Sequence, residues 1–195
     1  MPLDPDAELM LKVQKGDRRT FETLVVKYQK SVINVIFRSI NDPVEAEDLA
    51  QNVFVQVWKV RRRYKPTAKF TTWLFTIVRN MCLNEVRRRA RHPADSMEKT
   101  VADATEGGEI HWQFADRSVK SPSEEALQTE LHRRVELALR RLPEQQRTAM
   151  MLIRQHNMPY EDIAKVLRCS LAATKSIIHR ARQTLRDQIK PYLEP

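Results

Sequence analysis

Apolar residues recur at intervals of three and four positions along most of the chain, the spacing that places side chains on one face of an α-helix. No hairpin dipeptide such as Asn-Gly stands between runs of alternating apolar and polar residues. The chain also holds only 3 glycines, whereas sheet proteins use glycine freely in their turns. The pattern therefore predicts an all-α protein.

Four helices are predicted before residue 92. Their expected caps or first residues are acidic or hydroxyl side chains, which accept hydrogen bonds from free N–H groups or suit the positive end of the helix dipole. In chain order these are Asp6, Asp17, Glu45, and Thr71 or Thr72. The predicted breaks fall at Gly16, Asn41-Asp42-Pro43, Tyr64-Lys65-Pro66 and Pro93.

Residues 93–123 lose the helical period and contain Gly107-Gly108 and a Ser-Pro pair. A structureless stretch of this length is uncommon inside a compact domain. The sequence therefore predicts two small helical domains, residues 1–92 and 124–195, joined by an acidic, flexible linker.

Charge is distributed unevenly along the chain. The 34 Lys and Arg exceed the 25 Asp and Glu by nine, and residues 61–91 alone carry a net charge of +9. Residues 92–124 carry −4 and residues 125–195 carry +5. Basic segments interleaved with aromatic residues are typical of nucleic-acid binding, because cations neutralise phosphates and rings stack on bases. A merely solvated face usually mixes both signs.

Other classes of protein find little support in the sequence. Neither Cys82 nor Cys169 belongs to a CxxC or His-rich group, so both are interpreted as small core residues and no metal site is predicted. The five histidines are scattered and no glycine-rich phosphate loop occurs. We expect no catalytic residues, cofactor or small-molecule substrate. The acidic N-terminus and the absence of an apolar run of about 18 residues predict a cytoplasmic protein without membrane insertion.

Residues 159–182 have the pattern of a helix-turn-helix. Ser170 is expected to cap the second helix, and Ala173, Ile177 and Leu185, or their immediate neighbours, to form its buried side. The side chains predicted to reach base edges and phosphates in a major groove are Thr174, Lys175, Ser176, His179, Arg180 and Arg182. An ordinary helical hairpin with a basic outer face is the alternative.

The most distinctive motif is the run Glu47-Asp-Leu-Ala-Gln-Asn-Val-Phe-Val-Gln-Val-Trp58, followed by Phe70-Thr-Thr-Trp-Leu-Phe-Thr-Ile-Val-Arg-Asn80. Lys12-Val-Gln-Lys-Gly-Asp17 precedes these runs, and Leu142-Pro-x-x-x-Arg147 and Tyr160-Glu-x-Ile-Ala follow them. In this order the motifs resemble those of bacterial RNA polymerase sigma factors of the extracytoplasmic-function (group IV) type, in the sigma-70 family. The resemblance spans nearly the whole chain.

The resemblance implies that residues 1–92 bind core RNA polymerase, recognise the −10 promoter element and open the start site. The residues implied to dock on the clamp helices of the largest polymerase subunit are Asp48, Gln51, Asn52, Val55 and Trp58. Those implied to contact −10 DNA are Tyr64, Lys65, Lys69, Phe70, Arg79, Asn80, Arg87 and Arg88. Among the aromatic residues, Tyr64 and Phe70 are expected to stack on flipped bases, and Trp73 is expected in the core.

The resemblance also implies that residues 124–195 contact the polymerase flap and read the −35 element. The family usually has Gly-Thr-Val-Arg-Ser-Arg where this chain has Ala172-Ala-Thr-Lys-Ser-Ile. Lys175 and Ile177 thus replace arginines, and lysine lacks the fork that binds guanine in a bidentate manner, so a typical −35 preference is not expected.

The acidic linker resembles the segment that threads through the RNA path of the polymerase. Its aromatic residues Trp112 and Phe114 either anchor it there or pack on the protein's own domains. An anti-sigma protein, often membrane-tethered in this family, is a further implied partner.

Two other functions compete with the sigma-factor hypothesis. One is a helix-turn-helix repressor or activator that binds duplex DNA without polymerase, and the other is a protein that sequesters a helical partner in its apolar grooves. The run from Asp48 to Trp58 and the basic, aromatic segment from Tyr64 to Asn80 favour the sigma factor, because a repressor has no use for either.

Overall fold

A computed structural model describes residues 3–91 and 122–193, and every regular element in these ranges is helical. The helices are α1 (Pro5–Gln14), α2 (Arg18–Ile40), α3 (Pro43–Val60), α4 (Phe70–Arg91), α5 (Pro122–Arg141), α6 (Glu144–His156), α7 (Tyr160–Leu167) and α8 (Leu171–Leu193). A short 3₁₀ helix, Arg61–Arg63, follows α3. The predicted all-α class is confirmed, and Trp112 and Phe114 lie outside the described residues.

Aspartate side chains cap the N-termini of two helices in the first domain. Asp17 accepts a hydrogen bond from the Thr20 N–H, which confirms the predicted cap of α2. The three other predicted starts were wrong, and α1 begins at Pro5, before the expected Asp6. Helix α3 begins at Pro43 under a cap from Asp42 to the Glu45 N–H, and α4 begins at Phe70.

The first domain packs α2 against α1, α3 and α4 around one apolar core. Its innermost side chains are Met10, Val13, Leu24, Val32, Ile36, Val53, Leu74 and Val78. Cys82 is buried in the same core, as predicted, whereas Cys169 is half-buried, and both thiols are free. No helix in the described ranges is long and apolar enough to cross a bilayer.

The second domain is built around α7 and α8, joined by a turn at residues 168–170. Arg168 adopts a left-handed backbone with φ of 54°, which ends α7 and redirects the chain. Ser170 Oγ accepts a hydrogen bond from the Ala173 N–H at 3.1 Å, so the predicted cap of α8 is confirmed. Helices α5 and α6 pack against α8 and complete a helix-turn-helix domain.

The two domains lie against each other. Helix α4 packs on α7 and α2 packs on α6, and the apolar core runs continuously from one domain into the other. The two predicted helical domains therefore contact each other directly, which the sequence pattern did not indicate.

Candidate nucleic-acid interface

A groove of about 870 Å³ lies between α2 and α3 on the first domain. Its apolar lining comes from both helices and includes Phe21, Val25, Ile33, Phe54 and Trp58. The Phe21 and Trp58 rings lie 5.1 Å apart, and the Arg61 guanidinium sits 4.0 Å from the centre of the Trp58 ring. A partly open groove with an aromatic floor and a charged rim is suited to an amphipathic helix.

Three of the five predicted polymerase-binding residues, Gln51, Val55 and Trp58, line this groove. Asp48 and Asn52 are exposed on α3 but do not line it. The opposite wall, with Phe21 and Val25, was not among the residues predicted to bind polymerase. Both residues are apolar at helical spacing on α2, which the sequence pattern alone does not distinguish from a buried core position.

Four aromatic rings cluster where the chain enters α4. Phe70 lies 5.3 Å from Tyr28 and 6.0 Å from Trp73, and Tyr64 packs edge-on against Trp73 at 5.0 Å. The cluster is fixed from outside: Asp4 accepts a hydrogen bond from the Phe70 N–H at 2.9 Å, and Gln14 donates one to the Tyr64 carbonyl at 2.9 Å. The loop 64–69 is thereby anchored at both ends.

Tyr64 and Phe70 are buried in this cluster, so their predicted role as exposed stacking residues is contradicted. Burial raises the pKa of Tyr64 to about 12, with the Asp4 carboxylate as a lesser cause. Trp73, which the sequence reasoning assigned to the core, is only half-buried. Of Tyr64, Phe70 and Trp73, only Trp73 therefore keeps part of its ring exposed beside the loop.

Two predicted cations of the loop, Lys65 and Lys69, are exposed. Arg79 is only 8% exposed and its Nε has no hydrogen-bond partner among the described residues, so its predicted contact with DNA is not available in this arrangement. Asn80, the next residue of α4, is half-buried. The loop lysines and Asn80 therefore remain as candidates at the start of α4.

The arginines at the end of α4 are organised by one carboxylate. Glu85 accepts two hydrogen bonds from Arg88 at 2.8 Å and one from Arg89 at 2.9 Å. The Arg88 hydrogen bonds are the main cause that lowers the pKa of Glu85. Arg87 and Arg88 are exposed, as the phosphate-binding prediction requires, while Arg89 also pairs with Asp42 and joins α4 to α3.

The second helix of the helix-turn-helix presents a polar row to solvent. Lys175, Ser176, His179, Arg180 and Arg182 are all exposed on α8. The opposite side packs Ile178 and Ala181 into the domain. A capped helix with cations and hydroxyls on its outer face and small or apolar residues beneath it is the arrangement that reads a major groove.

Thr174 is the exception among the predicted contacts. Its exposed fraction is 0%, and its hydroxyl donates a hydrogen bond to the Ser170 carbonyl at 3.0 Å and contacts the Cys169 sulfur at 3.1 Å. The buried side of α8 consists of Thr174, Ile178 and Ala181. Thr174 and Ile178 are the immediate neighbours of Ala173 and Ile177, the first two residues predicted for that side. Thr174 therefore shapes the turn and does not face a groove.

Two family models match this chain, one in each domain. The Sigma-70 region 2 family model matches residues 24–92, and the Sigma-70 region 4 model matches residues 132–185. The RNA polymerase sigma-H factor of Pseudomonas aeruginosa is 34% identical over 97% of this chain and 96% of its own length. The ECF RNA polymerase sigma-E factor of Haemophilus influenzae is 30% identical over 96% of this chain and 97% of its own length.

Solved structures show the same fold. CnrH in complex with the cytosolic domain of CnrY aligns with a TM-score of 0.66 and 23% identity, covering 96% of this chain and 99% of CnrH. The sigma factor RpoE of Bartonella quintana, in complex with the anti-sigma factor NepR, aligns with a TM-score of 0.65 and 24% identity. The alignment covers 87% of this chain and 96% of RpoE. The chain belongs to the sigma-70 family of bacterial RNA polymerase sigma factors, in its extracytoplasmic-function branch.

Proposed function

We propose that three separate surfaces divide the work of this sigma factor, which binds core RNA polymerase, recognises the −10 and −35 promoter elements and opens the start site. The groove between α2 and α3 binds polymerase, the start of α4 holds the −10 strand, and the outer face of α8 reads the −35 duplex. The observation that carries the proposal is the exposed polar row on α8, set apart from an apolar groove on the other domain.

The polymerase surface centres on Gln51, Val55 and Trp58, with Asp48 and Asn52 beside it on α3. An amphipathic segment of the clamp helices in the largest subunit would place apolar side chains on Phe21 and Trp58. The polar rim then sets its orientation. Contact between the second domain and the polymerase flap is part of the same proposal.

At the −10 element, the exposed groups are Lys65, Lys69, half-buried Trp73 and Asn80. Tyr64 and Phe70 do not contact DNA themselves. They pack against the Trp73 ring and hold it and the loop 64–69 in place. Stacking of one base on an aromatic ring contributes about 1–3 kcal/mol, which offsets part of the cost of unstacking it from the duplex. Arg87 and Arg88 then bind backbone phosphates.

At the −35 element, Lys175, Ser176, His179, Arg180 and Arg182 are the contacts. Lys175 is a point charge without the planar fork of arginine, so it favours phosphates or a single base acceptor. Ile177 is half-buried and places no cation in the groove. The −35 preference of this chain therefore depends chiefly on His179 and Arg180.

An anti-sigma protein is a proposed partner of the chain. CnrH and the Bartonella RpoE, which share this fold, are each solved in complex with a partner, and the partner of RpoE is named an anti-sigma factor. The apolar groove between α2 and α3 offers such a protein the surface that polymerase uses, so binding of the two would be exclusive. The proposed organisation is residues 1–92 for polymerase and −10 DNA, 93–123 as linker and 124–195 for −35 DNA.

The polymerase surface is tested by placing a charge in the groove. Val55 lies in the groove and is 48% exposed, and Val26 is 70% exposed on α2 outside it. We expect Val55→Asp to abolish copurification with core RNA polymerase, since an unpaired carboxylate would face an apolar partner. Val26→Asp adds the same charge and should copurify like the wild type. Equal recovery of the two variants would contradict the assignment of the groove.

A further inference from the structure

Helix α1 lies along the loop between the 3₁₀ helix and α4, the loop proposed to contact −10 DNA. It packs on the 3₁₀ helix before the loop and on α4 after it. At the C-terminal end of α1, Gln14 Nε2 donates hydrogen bonds to the Arg62 carbonyl at 3.2 Å and to the Tyr64 carbonyl at 2.9 Å. At its N-terminal end, Asp4 Oδ2 accepts a hydrogen bond from the Phe70 N–H at 2.9 Å. The two ends of the loop are therefore bonded to the two ends of one helix.

The loop has little structure of its own to fix its shape. It contains no helical turn, and within it the Thr67 N–H donates to the Lys65 carbonyl at 2.8 Å. Lys65, Pro66, Thr67 and Lys69 are exposed, so little packing holds the loop. Helix α1 has 10 residues, and at a rise of about 1.5 Å per residue its two ends are separated by about 15 Å. The ends of the loop are therefore kept apart by the length of α1.

A buried carboxylate holds α1 itself on the domain. Asp6 is 8% exposed and accepts hydrogen bonds from Lys27 Nζ at 2.6 and 2.7 Å and from the Tyr28 hydroxyl at 2.6 Å. Hydrogen bonds to an ionised group are stronger than those between neutral groups. The Tyr28 ring also packs against the Phe70 ring, which supports Trp73. Helix α1 therefore cannot shift along the loop without breaking bonds to the aromatic cluster.

The charge of Asp4 distinguishes it from the residues proposed to contact DNA. Asp4 is half-buried beside a loop whose exposed ionisable residues, Lys65 and Lys69, are both cationic. A carboxylate repels the phosphates of a nearby strand, so the charge of Asp4 opposes binding. Its hydrogen bond to the Phe70 N–H favours binding, because a loop that is ordered beforehand loses less conformational entropy when it binds. These two effects can be measured separately.

We propose that Asp4 and Gln14 are positioning residues for the −10 strand. They hold the two ends of the loop at a fixed separation, and the loop then presents Lys65, Lys69 and Trp73 to a single strand in one arrangement. The inference rests on the proposed assignment of −10 binding to the start of α4. It adds that a helix with no proposed DNA contact of its own sets the affinity of that site.

The Asp4 bond is tested with two variants of the full chain that carry the same net charge. In Asp4→Asn the side-chain oxygen can still accept from the Phe70 N–H, whereas in Asp4→Ala no acceptor remains. Fluorescence anisotropy gives the affinity of each variant for a labelled, mixed-sequence single strand of about 12 nucleotides. We expect Asp4→Asn to bind at least as tightly as the wild type, and Asp4→Ala to bind about fivefold more weakly than Asp4→Asn.

The Gln14 bonds are tested with a change that removes the donors and leaves the charge unchanged. Gln14→Met keeps the length of the side chain but cannot donate to the Arg62 and Tyr64 carbonyls. Gln56→Met makes the same change at an exposed position of α3 that does not line the groove. We expect Gln14→Met to bind the strand about threefold more weakly than Gln56→Met.

The fluorescence of Trp73 separates positioning from a loss of folding. In a chain with Trp58→Phe and Trp112→Phe, Trp73 is the one tryptophan left of three. Without DNA, Asp4→Ala and Gln14→Met should increase the quenching of Trp73 emission by acrylamide, because the loop beside its ring is released. Asp4→Asn should restore the original quenching, and the circular-dichroism spectrum should stay the same in every variant. Unchanged quenching would show that the loop keeps its arrangement without these bonds.

The remaining outcomes overturn the inference and identify what failed. If Asp4→Ala binds like Asp4→Asn, or Gln14→Met binds like Gln56→Met, α1 does not position the loop. The double variant Lys65→Ala, Lys69→Ala then decides the proposed function: weaker strand binding keeps the −10 assignment, and unchanged binding removes that assignment and the inference with it. If strand binding and helix content are lost together, Asp4 and Gln14 only stabilise the fold.

Discussion

A buried aromatic residue beside the loop 64–69, which we propose to bind DNA, affects that binding only through the residues it supports. Phe70 has 1% of its surface exposed and contacts Tyr28, Tyr64 and Trp73, whereas half-buried Trp73 keeps part of its ring at the surface. The two positions should therefore separate stability from DNA binding.

We expect Phe70→Ala to lower the free energy of unfolding by about 3–5 kcal/mol, the usual cost of emptying a buried phenylalanine site. Trp73→Ala should cost less, because its ring is only half-buried. Urea unfolding followed by circular dichroism measures both. In a strand-binding assay, Trp73→Ala should weaken binding of single-stranded DNA about tenfold, the loss of one stacking contact of about 1–3 kcal/mol. A fully stable Phe70→Ala, or unchanged strand binding in Trp73→Ala, would contradict this division.

Residue roles were predictable where they depend on local sequence and not where they depend on distant packing. The exposed row on α8 was predicted because Lys175, His179 and Arg182 recur at helical spacing. Thr174 was predicted to face DNA but is buried. Its hydroxyl donates a hydrogen bond to the Ser170 carbonyl and contacts the Cys169 sulfur, so the buried side of α8 is shifted by one residue from Ala173 to Thr174. Phe70 was misplaced because its ring partner Tyr28 comes from α2, far away in sequence, and Tyr64 was misplaced because it packs on Phe70 and Trp73.

At the scale of elements, helix starts followed local capping wherever the cap was nearby. Asp17 and Ser170 were both predicted and both accept the expected hydrogen bonds. The start of α4 was not, because the carboxylate that accepts from the Phe70 N–H belongs to Asp4, at the other end of the domain. A cap supplied across the fold leaves no signal in the residues around the helix.

The cap of α8 gives a prediction for the whole element. Ser170→Ala removes the acceptor of the Ala173 N–H, a loss of about 1 kcal/mol that should lower the melting temperature by about 2–4 °C. Because the first turns of α8 carry Lys175 and Ser176, binding to duplex DNA should weaken as well. Thermal unfolding and a duplex gel-shift titration measure the two effects.

Ser176→Ala is the stability control for this experiment. Its hydroxyl donates to the Ala172 carbonyl within the helix and is exposed, so the melting temperature should stay within 1 °C or so of the wild type. If Ser170→Ala has the same melting temperature as Ser176→Ala, the cap does not stabilise α8.

At the scale of the whole molecule, the sequence predicted two domains but not their contact. Ser31, Gln155 and His156 are the kinds of residue that a helix normally turns to solvent, and nothing in their spacing distinguishes them from the exposed residues around them. The contact is set by how two separately folded surfaces meet. Only the structure brings Ser31 to His156 and Arg38 to Glu136.

The buried histidine makes that contact sensitive to pH. Burial lowers the pKa of His156 to about 4 in the closed arrangement, in which the two domains are in contact, from an ordinary value of 6.5. The groups that face it are Tyr28 and Ser31 of α2 and Phe75 of α4, and the Tyr28 hydroxyl donates to Asp6. The neutral ring is favoured when closed, so closure is fully stabilised above pH 6.5 and is weakened as the pH falls from 6.5 towards 4.

By pH 5 the loss amounts to about 2 kcal/mol, since the open ring is protonated there and the closed ring is not. We therefore expect the radius of gyration of the wild type to increase between pH 7 and pH 5 at constant salt. His156→Phe keeps an aromatic ring against Phe75 but cannot be protonated, so its radius should change less over the same range. His179→Gln, an exposed position on α8, should respond like the wild type. A response that is the same in all three proteins would show that another group controls the opening.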